Sequence, residues 1–309
     1  MADAQILKNI ESKILAFQSG SLKQNTLNLF ESLGYESPHQ MDIFENTPDG
    51  FLEYLKDNSR TINQNQAYFT EWKSVDFCLQ LTNEESVLFE SQVNNFDGII
   101  NSYLLFCIEL NKKNYPNRAL ADITRAMNRV FPKPVFVLFK HGSSLTLSII
   151  NRRKHKRDSS KEVLEKITLI KDIDVSEPHR AHKEILFDLC LFELKRNFTI
   201  QNFDDLHSAW QSVLNISELN KKFYREISNW YFWARENVEF PNKPAKLKSE
   251  NESEYHERVL SFNSMNLIRL ITRLIFVWFL KEKGLIPDIL FSEKKLKDLL
   301  LFNDKNKST

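Results

Sequence analysis

The sequence predicts a mixed α/β domain followed by an all-α one, and three observations predict it. Strand-like apolar runs cluster between Ser74 and Val175, one amphipathic helical pattern lies among them, and beyond Asp174 the apolar spacing turns helical over long stretches. A chain of 309 residues with 42% hydrophobic and 12% aromatic residues can bury one large core or two smaller ones, so disorder is not expected for its bulk. The predicted organisation is helices and loops over 1–73, an α/β domain over 74–175 and a helical connector domain over 176–309.

Each element has its own reason. Between Gln5 and Leu33 the apolar residues Ile6, Ile10, Ile14, Leu27, Phe30 and Leu33 recur at helical spacing, and Gly34 stands where a helix end wants a left-handed residue. From Ser37 to Asn65 the composition turns to Ser, Pro, Asn, Asp and Gly, which predicts loops around a short helix at Phe51–Leu55. SVDFCLQL (74–81) and YLLFCIEL (103–110) read as strands. Over 119–131, Leu120, Ile123, Met127 and Val130 share one helical face, and Pro132 and Pro134 close that helix. PVFVLFKHG and SLTLSIINRR read as a hairpin turning at His141–Ser144, and KITLIKDIDV as a further strand. Helices are then expected at 179–196, 204–214, 220–238 and 256–284, with the polar, Pro-bearing stretch FPNKPAKLKSENES as a connector.

Composition excludes several classes. Lys+Arg 42 against Asp+Glu 41 leaves a formal charge of +1, so a nucleic-acid partner must be held by a local patch. The cysteines Cys78, Cys107 and Cys190 are odd in number, far apart and set among apolar neighbours, as buried reduced thiols are, which points to the cytoplasm. The N-terminal MADAQILKNIESKILAF has no continuous apolar core of a secretory signal. Leu267–Leu280 is the most apolar stretch, but it is short and carries Arg269 and Arg273, so a core helix and no membrane partner are expected.

Four groups of residues could carry chemistry. Asp97 precedes a strand and Glu109 ends it, the layout in which PD-(D/E)xK nucleases hold a divalent cation such as Mg²⁺ on two carboxylates. That layout makes the α/β domain nuclease-like. Asn111 takes the place of the usual lysine on the face shared with Glu109, Lys112 falls on the other face, and Asp76 is a spare acid. Ordinary solvated strand-end acids are the plain alternative. The run Arg152, Arg153, Lys154, His155, Lys156 and Arg157 after a strand is the candidate DNA-binding patch; its counterpart is a solvated loop with Asp158, Glu162 and Glu165 close behind. His179, His182 and Glu184 read as a helix start rather than a zinc site, which needs more ligands. The aromatic cluster from Phe223 to Trp233 reads as core rather than as a base-stacking platform, and Arg269 and Arg273 as partners of Glu226 or Glu236 rather than as DNA contacts.

The segments KKFYREISNWYFWARENVEFP (221–241), NLIRLITRLIFVWFLKEKGLIP (266–287) and FKHGSSLTLSIINRRKHKRDSSKEVLEKITLIKDI (139–173) together resemble the N-terminal part of type IIG-like restriction-modification proteins. The resemblance spans about Asp76 to Pro287, and Trp230-Tyr231-Phe232-Trp233 is its most distinctive word. In such phage-defence proteins an endonuclease, an adenine-specific DNA methyltransferase and target recognition share one polypeptide. The resemblance therefore implies DNA and a methyltransferase domain, in the same or a downstream polypeptide, as partners. The methyltransferase itself is not expected here. It needs a Gly-rich turn for S-adenosylmethionine and an Asn-Pro-Pro-Tyr-type loop, whereas the six glycines are scattered and no Pro-Pro occurs. A non-catalytic protein-interaction module is the competing expectation.

Overall fold

The computed structural model of the protein describes residues 2–40, 42–82, 102–131, 133–155, 158–214, 216–283 and 285–291, with the backbone alone at 2, over 151–155, 158–166 and 216–220, and at 282, 288 and 291. The chain forms two compact units, Met1–Leu219 and Asn220–Thr309.

In the first unit, α1 (Ala2–Leu15), α2 (Leu22–Ser32) and α3 (Pro48–Asp57) precede the strands β1 (Trp72–Thr82) and β2 (Ser102–Leu110). Then come α4 (Asn117–Val130), β3 (Val135–His141), β4 (Ser144–His155) and β5 (Asp158–Asp174), followed by α5 (Arg180–Asp188), α6 (Leu191–Asn197) and α7 (Phe203–Val213). The strands form one sheet in the order β1-β2-β3-β4-β5. All neighbours are antiparallel except β2 and β3, which run parallel because α4 carries the chain back between them. Gly34 and Gly142 take positive φ at the end of α2 and in the β3–β4 turn, as their places in the sequence require.

Helices cover both faces of this sheet, and β2 shows why. In YLLFCIEL, Tyr103, Leu105 and Cys107 enter one core with Phe136 and Leu138 of β3, while Leu104, Phe106 and Ile108 enter a second with Val135, Val137 and Phe139. A strand buried on both sides must be apolar throughout, which is why β2 and β3 read as continuous runs rather than alternating ones. The first core is closed by α1, α2 and α5–α7, the second by α3 and α4.

The structure is thus a mixed five-stranded sheet with helices, in keeping with the α/β expectation. The boundaries expected after residues 73 and 175 fall inside one unit, because α1, α2 and α5–α7 share a single core with the sheet. Tyr35 illustrates the join: its hydroxyl donates to Leu189 O at 2.6 Å and accepts from Trp210 Nε1 at 2.8 Å, while the Trp210 ring lies 4.8 Å from that of Phe136 in β3. The last strand also begins earlier than KITLIKDIDV suggests, since β5 starts at Asp158. Its polar first half, DSSKEVLEK, has little intrinsic strand character, and pairing to β4 overrides that local preference.

The second unit holds most of α8 (Ile216–Asn237), together with α9 (Glu252–Glu282). Asn251 opens α9 with a capping box, accepting from Glu254 N while Glu254 accepts from Asn251 N. Asn263 donates to Arg235 O at 3.1 Å and Val238 O at 3.0 Å, so α9 caps the last turn of α8, with Ala234 and Leu267 buried alongside. The connector is clamped by Arg258, whose Nε and Nη2 reach the two oxygens of Glu250 at 2.8 and 2.7 Å. This bidentate pair is the first cause holding the Glu250 carboxyl down at about 2. A folded-state value below the unfolded one stabilises fully above the unfolded pKa and fades as pH falls through the folded one. The clamp is therefore expected to persist at pH 4 and open only near pH 2, which the Arg258 guanidinium resonances of an NMR acid titration would read directly.

Candidate functional site

The expected acid pair is only half visible, since Asp97 lies outside the described residues. Glu109 is the penultimate residue of β2, its side chain 25% exposed and bonded to Lys73 Nζ at 3.0 Å. Asn111 is not a strand residue: β2 ends at Leu110, because the chain there turns back on the segment before β1, with Asn111 N donating to Glu71 O at 2.9 Å and Nδ2 to Thr70 O at 3.4 Å. Lys112, expected on the other side, binds the Glu71 carboxylate, which also accepts from Tyr115 Oη at 3.2 Å.

Another group does meet Glu109. Asp76 pairs in register with Cys107, two residues before Glu109, so both acids lie on one face of adjacent strands as diagonal neighbours, about 7–8 Å apart. Lys140 of β3 stands beside Glu109 in the parallel register, on the face of Phe136 and Leu138. Burial raises the Asp76 carboxyl above its ordinary value, opposed by the charge of Lys23. Two carboxylates and a lysine thus share one face toward the carboxyl ends of the parallel strands. Sequence spacing did not single out Lys140, because its partner is 31 residues away and only the register unites them. As a Mg²⁺ site the described residues fall short: no three metal-ligating side chains converge among them, and Glu109 is already neutralised by Lys73.

The basic run, expected to follow a strand, lies partly within one. β4 continues through it, with Arg152, Arg153 and Lys154 paired to Leu164, Val163 and Glu162 of β5, and His155 to Asp158. Lys156 and Arg157 lie outside the described residues. β3 pairs with β4 only as far as Ser148, so among the described residues β4 pairs from Ile149 to His155 with β5 alone. A two-stranded ribbon about 20 Å long therefore extends past the last β3 pair and carries Arg152, Arg153 and Lys154.

The histidines behave as a helix start: His179 precedes α5, His182 lies in its first turn with burial holding its pKa down, and Arg180 bonds Glu184 at 2.6 Å. Cys78, Cys107 and Cys190 are free and buried, and burial pushes the Cys190 thiol up to about 12.

The helical unit overturns two expectations. The aromatic cluster is not core, since Phe223, Tyr224, Trp230, Phe232 and Trp233 are exposed, Phe232 by 60% and Trp233 by 57%. Neither is Leu267–Leu280, where Leu270, Leu274, Ile275, Phe276, Trp278 and Phe279 are exposed. The cause is geometric: two helices that meet at Ala234, Asn263 and Leu267 cover one side of each other, whereas these sequences are apolar on several sides. Arg269 and Arg273 are likewise exposed, and Glu236 pairs with Arg235 at 3.7 Å and His256 at 3.8 Å instead. By length and composition, Glu252–Lys281 of α9 is long and apolar enough to cross a membrane. Its two central arginines would make that costly. No family model matches the chain, and neither any curated protein nor any solved structure matches it.

Proposed function

We propose that this chain is the DNA-engaging N-terminal region of a restriction-modification protein, nuclease-like in the acid layout of its sheet and without the methyltransferase site. The observation that carries the reading is the β4–β5 ribbon with Arg152, Arg153 and Lys154 on it. A two-stranded ribbon fits the major groove of B-DNA, and the cations clustered on it neutralise phosphates whatever the sequence. The Asp76, Glu109 and Lys140 face adds the residue types that phosphodiester hydrolysis uses, but the Lys73–Glu109 pair stands in the way of a cation, so no hydrolytic step is derived. Duplex binding measured at rising salt tests the reading: log affinity should fall linearly with log salt, with a slope of roughly −3 or steeper. Binding that is absent at low salt, or indifferent to salt, sinks it.

The exposed apolar helices favour a second role within the same protein. Phe223–Trp233 and Ile268–Phe279 fall in the two segments that resemble the family, and a surface of that kind is ordinarily covered by another domain. In this reading α8 and α9 dock the methyltransferase domain, and the rival view, a pure interaction module, shares the surface without the DNA. Serine at Leu274, Ile275, Phe276 and Phe279 should leave the melting temperature of the helical unit within about 2 °C, as surface changes do. The same variant should bind far less of an apolar dye such as anilinonaphthalene sulfonate. A large drop in melting temperature would show these residues to be core after all.

A further inference from the structure

The C-terminal half of α9 carries an apolar seam that its packing with α8 leaves unused. Met265, Ile268, Thr272, Ile275 and Phe279 follow one another at intervals of three, four, three and four residues, the repeat by which one helix lays a continuous stripe against another. All five are exposed, Ile268 by 55% and Phe279 by 53%. Thr272 spends its hydroxyl on Ile268 O at 2.8 Å, so it too offers a methyl group to the stripe. Because the helix turns about 100° per residue, the stripe lies well round from Leu267, which is buried alongside Ala234. The same spacing meets Ser261 before the seam and Glu282 after it, so the seam is finite, about 21 Å long.

The charge along it is one-sided. Over 264–281 the helix has no acid, while Arg269 follows directly on Ile268, where paired helices place their flanking charges, and Arg273 stands one turn further on. Both arginines are exposed, and neither is in an ion pair among the described residues. An apolar stripe with unpaired guanidinium groups beside it is complementary to a surface that is apolar in the middle and acidic at its margin. A second copy of this chain does not supply that margin. Laid on the same stripe in either direction, it brings the same acid-free stretch, and cation meets cation or an apolar side chain.

We propose that α9 docks one amphipathic helix of a partner protein along residues 265–279, with carboxylates of that helix paired to Arg269 and Arg273. The proposal rests on the reading of α8 and α9 as docking helices and adds the chemistry of the other side. The seam supplies the apolar contact, as in other complexes where a helix lies in an apolar groove. The arginines supply the choice of partner, since a basic helix of the same shape leaves like charges face to face.

Fluorescence anisotropy on the full chain tests it with two synthetic three-heptad peptides that share one apolar seam and carry glutamate in one, lysine in the other, at the flanking positions. The glutamate peptide should bind one site, at least about tenfold more tightly than the lysine peptide. Arg269→Glu with Arg273→Glu should invert that preference without moving the melting temperature, both side chains being exposed. Ile268→Asp with Ile275→Asp should abolish binding of the glutamate peptide, again without a change in melting temperature. No saturable binding of the glutamate peptide, equal binding of the two, or a preference that the arginine exchange leaves in place overturns the proposal. So does a dimer in sedimentation that Ile275→Asp dissolves, which makes a second copy the occupant. Attachment to phosphatidylglycerol vesicles with neither peptide bound overturns it in favour of a bilayer. The docking reading itself fails separately, through the melting of the serine variant, and the DNA reading fails on the ribbon alone.

Discussion

Trp210→Ala is expected to unfold the sheet unit or nearly so. The indole is 3% exposed and lies 5.6, 5.0 and 4.8 Å from the rings of Tyr35, Tyr103 and Phe136, so its removal strips one wall from the larger core. Truncating a buried Trp costs about 3–5 kcal/mol. A second loss is added because Tyr35 Oη no longer accepts from the indole N–H in a region where water does not replace it, worth roughly another 1 kcal/mol. Against a total stability of about 5–15 kcal/mol, this removes most of the margin. Denaturant unfolding gives the size, and amide exchange gives the location. Protection should fall in β2 and β3 as well as in α7, because those strands share the Trp210 contacts. Retained protection in the strands beside a melted α7 would show that residues beyond 175 form a separate domain.

That experiment bears on what was legible in the sequence. Alternation and apolar runs placed β1 to β4 and α4 within a few residues, since a strand buried on both faces and a helix with one apolar stripe leave different spacings. The hairpin at Gly142 was legible because a tight turn there needs positive φ. What could not be read was which elements share a core. Tyr35 and Trp210 stand 175 residues apart, and no local pattern joins them. The same blindness hid Lys140 beside Glu109, which only strand register unites, and left the first half of β5 outside the expected strand. The aromatic run at 230–233 misled for another reason. Apolar residues on several sides of a helix say that it will be covered, but not that this chain supplies the cover.

Changing Arg152, Arg153 and Lys154 together to Glu should have the largest effect on DNA. If each cation neutralises one phosphate, losing three lowers the magnitude of the salt slope by about 3. At low salt, where counterion release contributes most, removal of three such contacts corresponds to a hundredfold loss or so, and the new carboxylates add repulsion to it. The fold should tolerate the change. The positions lie beyond the last β3 partner at Ser148, where β4 pairs only with β5 among the described residues, so no other described strand depends on them. The pairing of Lys154 with Glu162 sets the one local risk, because two acids would then face each other across the ribbon. Glu162→Lys in the same background removes that repulsion and serves as the control: it should restore the melting temperature while adding back only one cation. Gel shifts across a salt series decide the matter. If the triple variant binds as tightly as the parent at low salt with an unchanged slope, the ribbon does not touch DNA and the interaction-module reading takes its place.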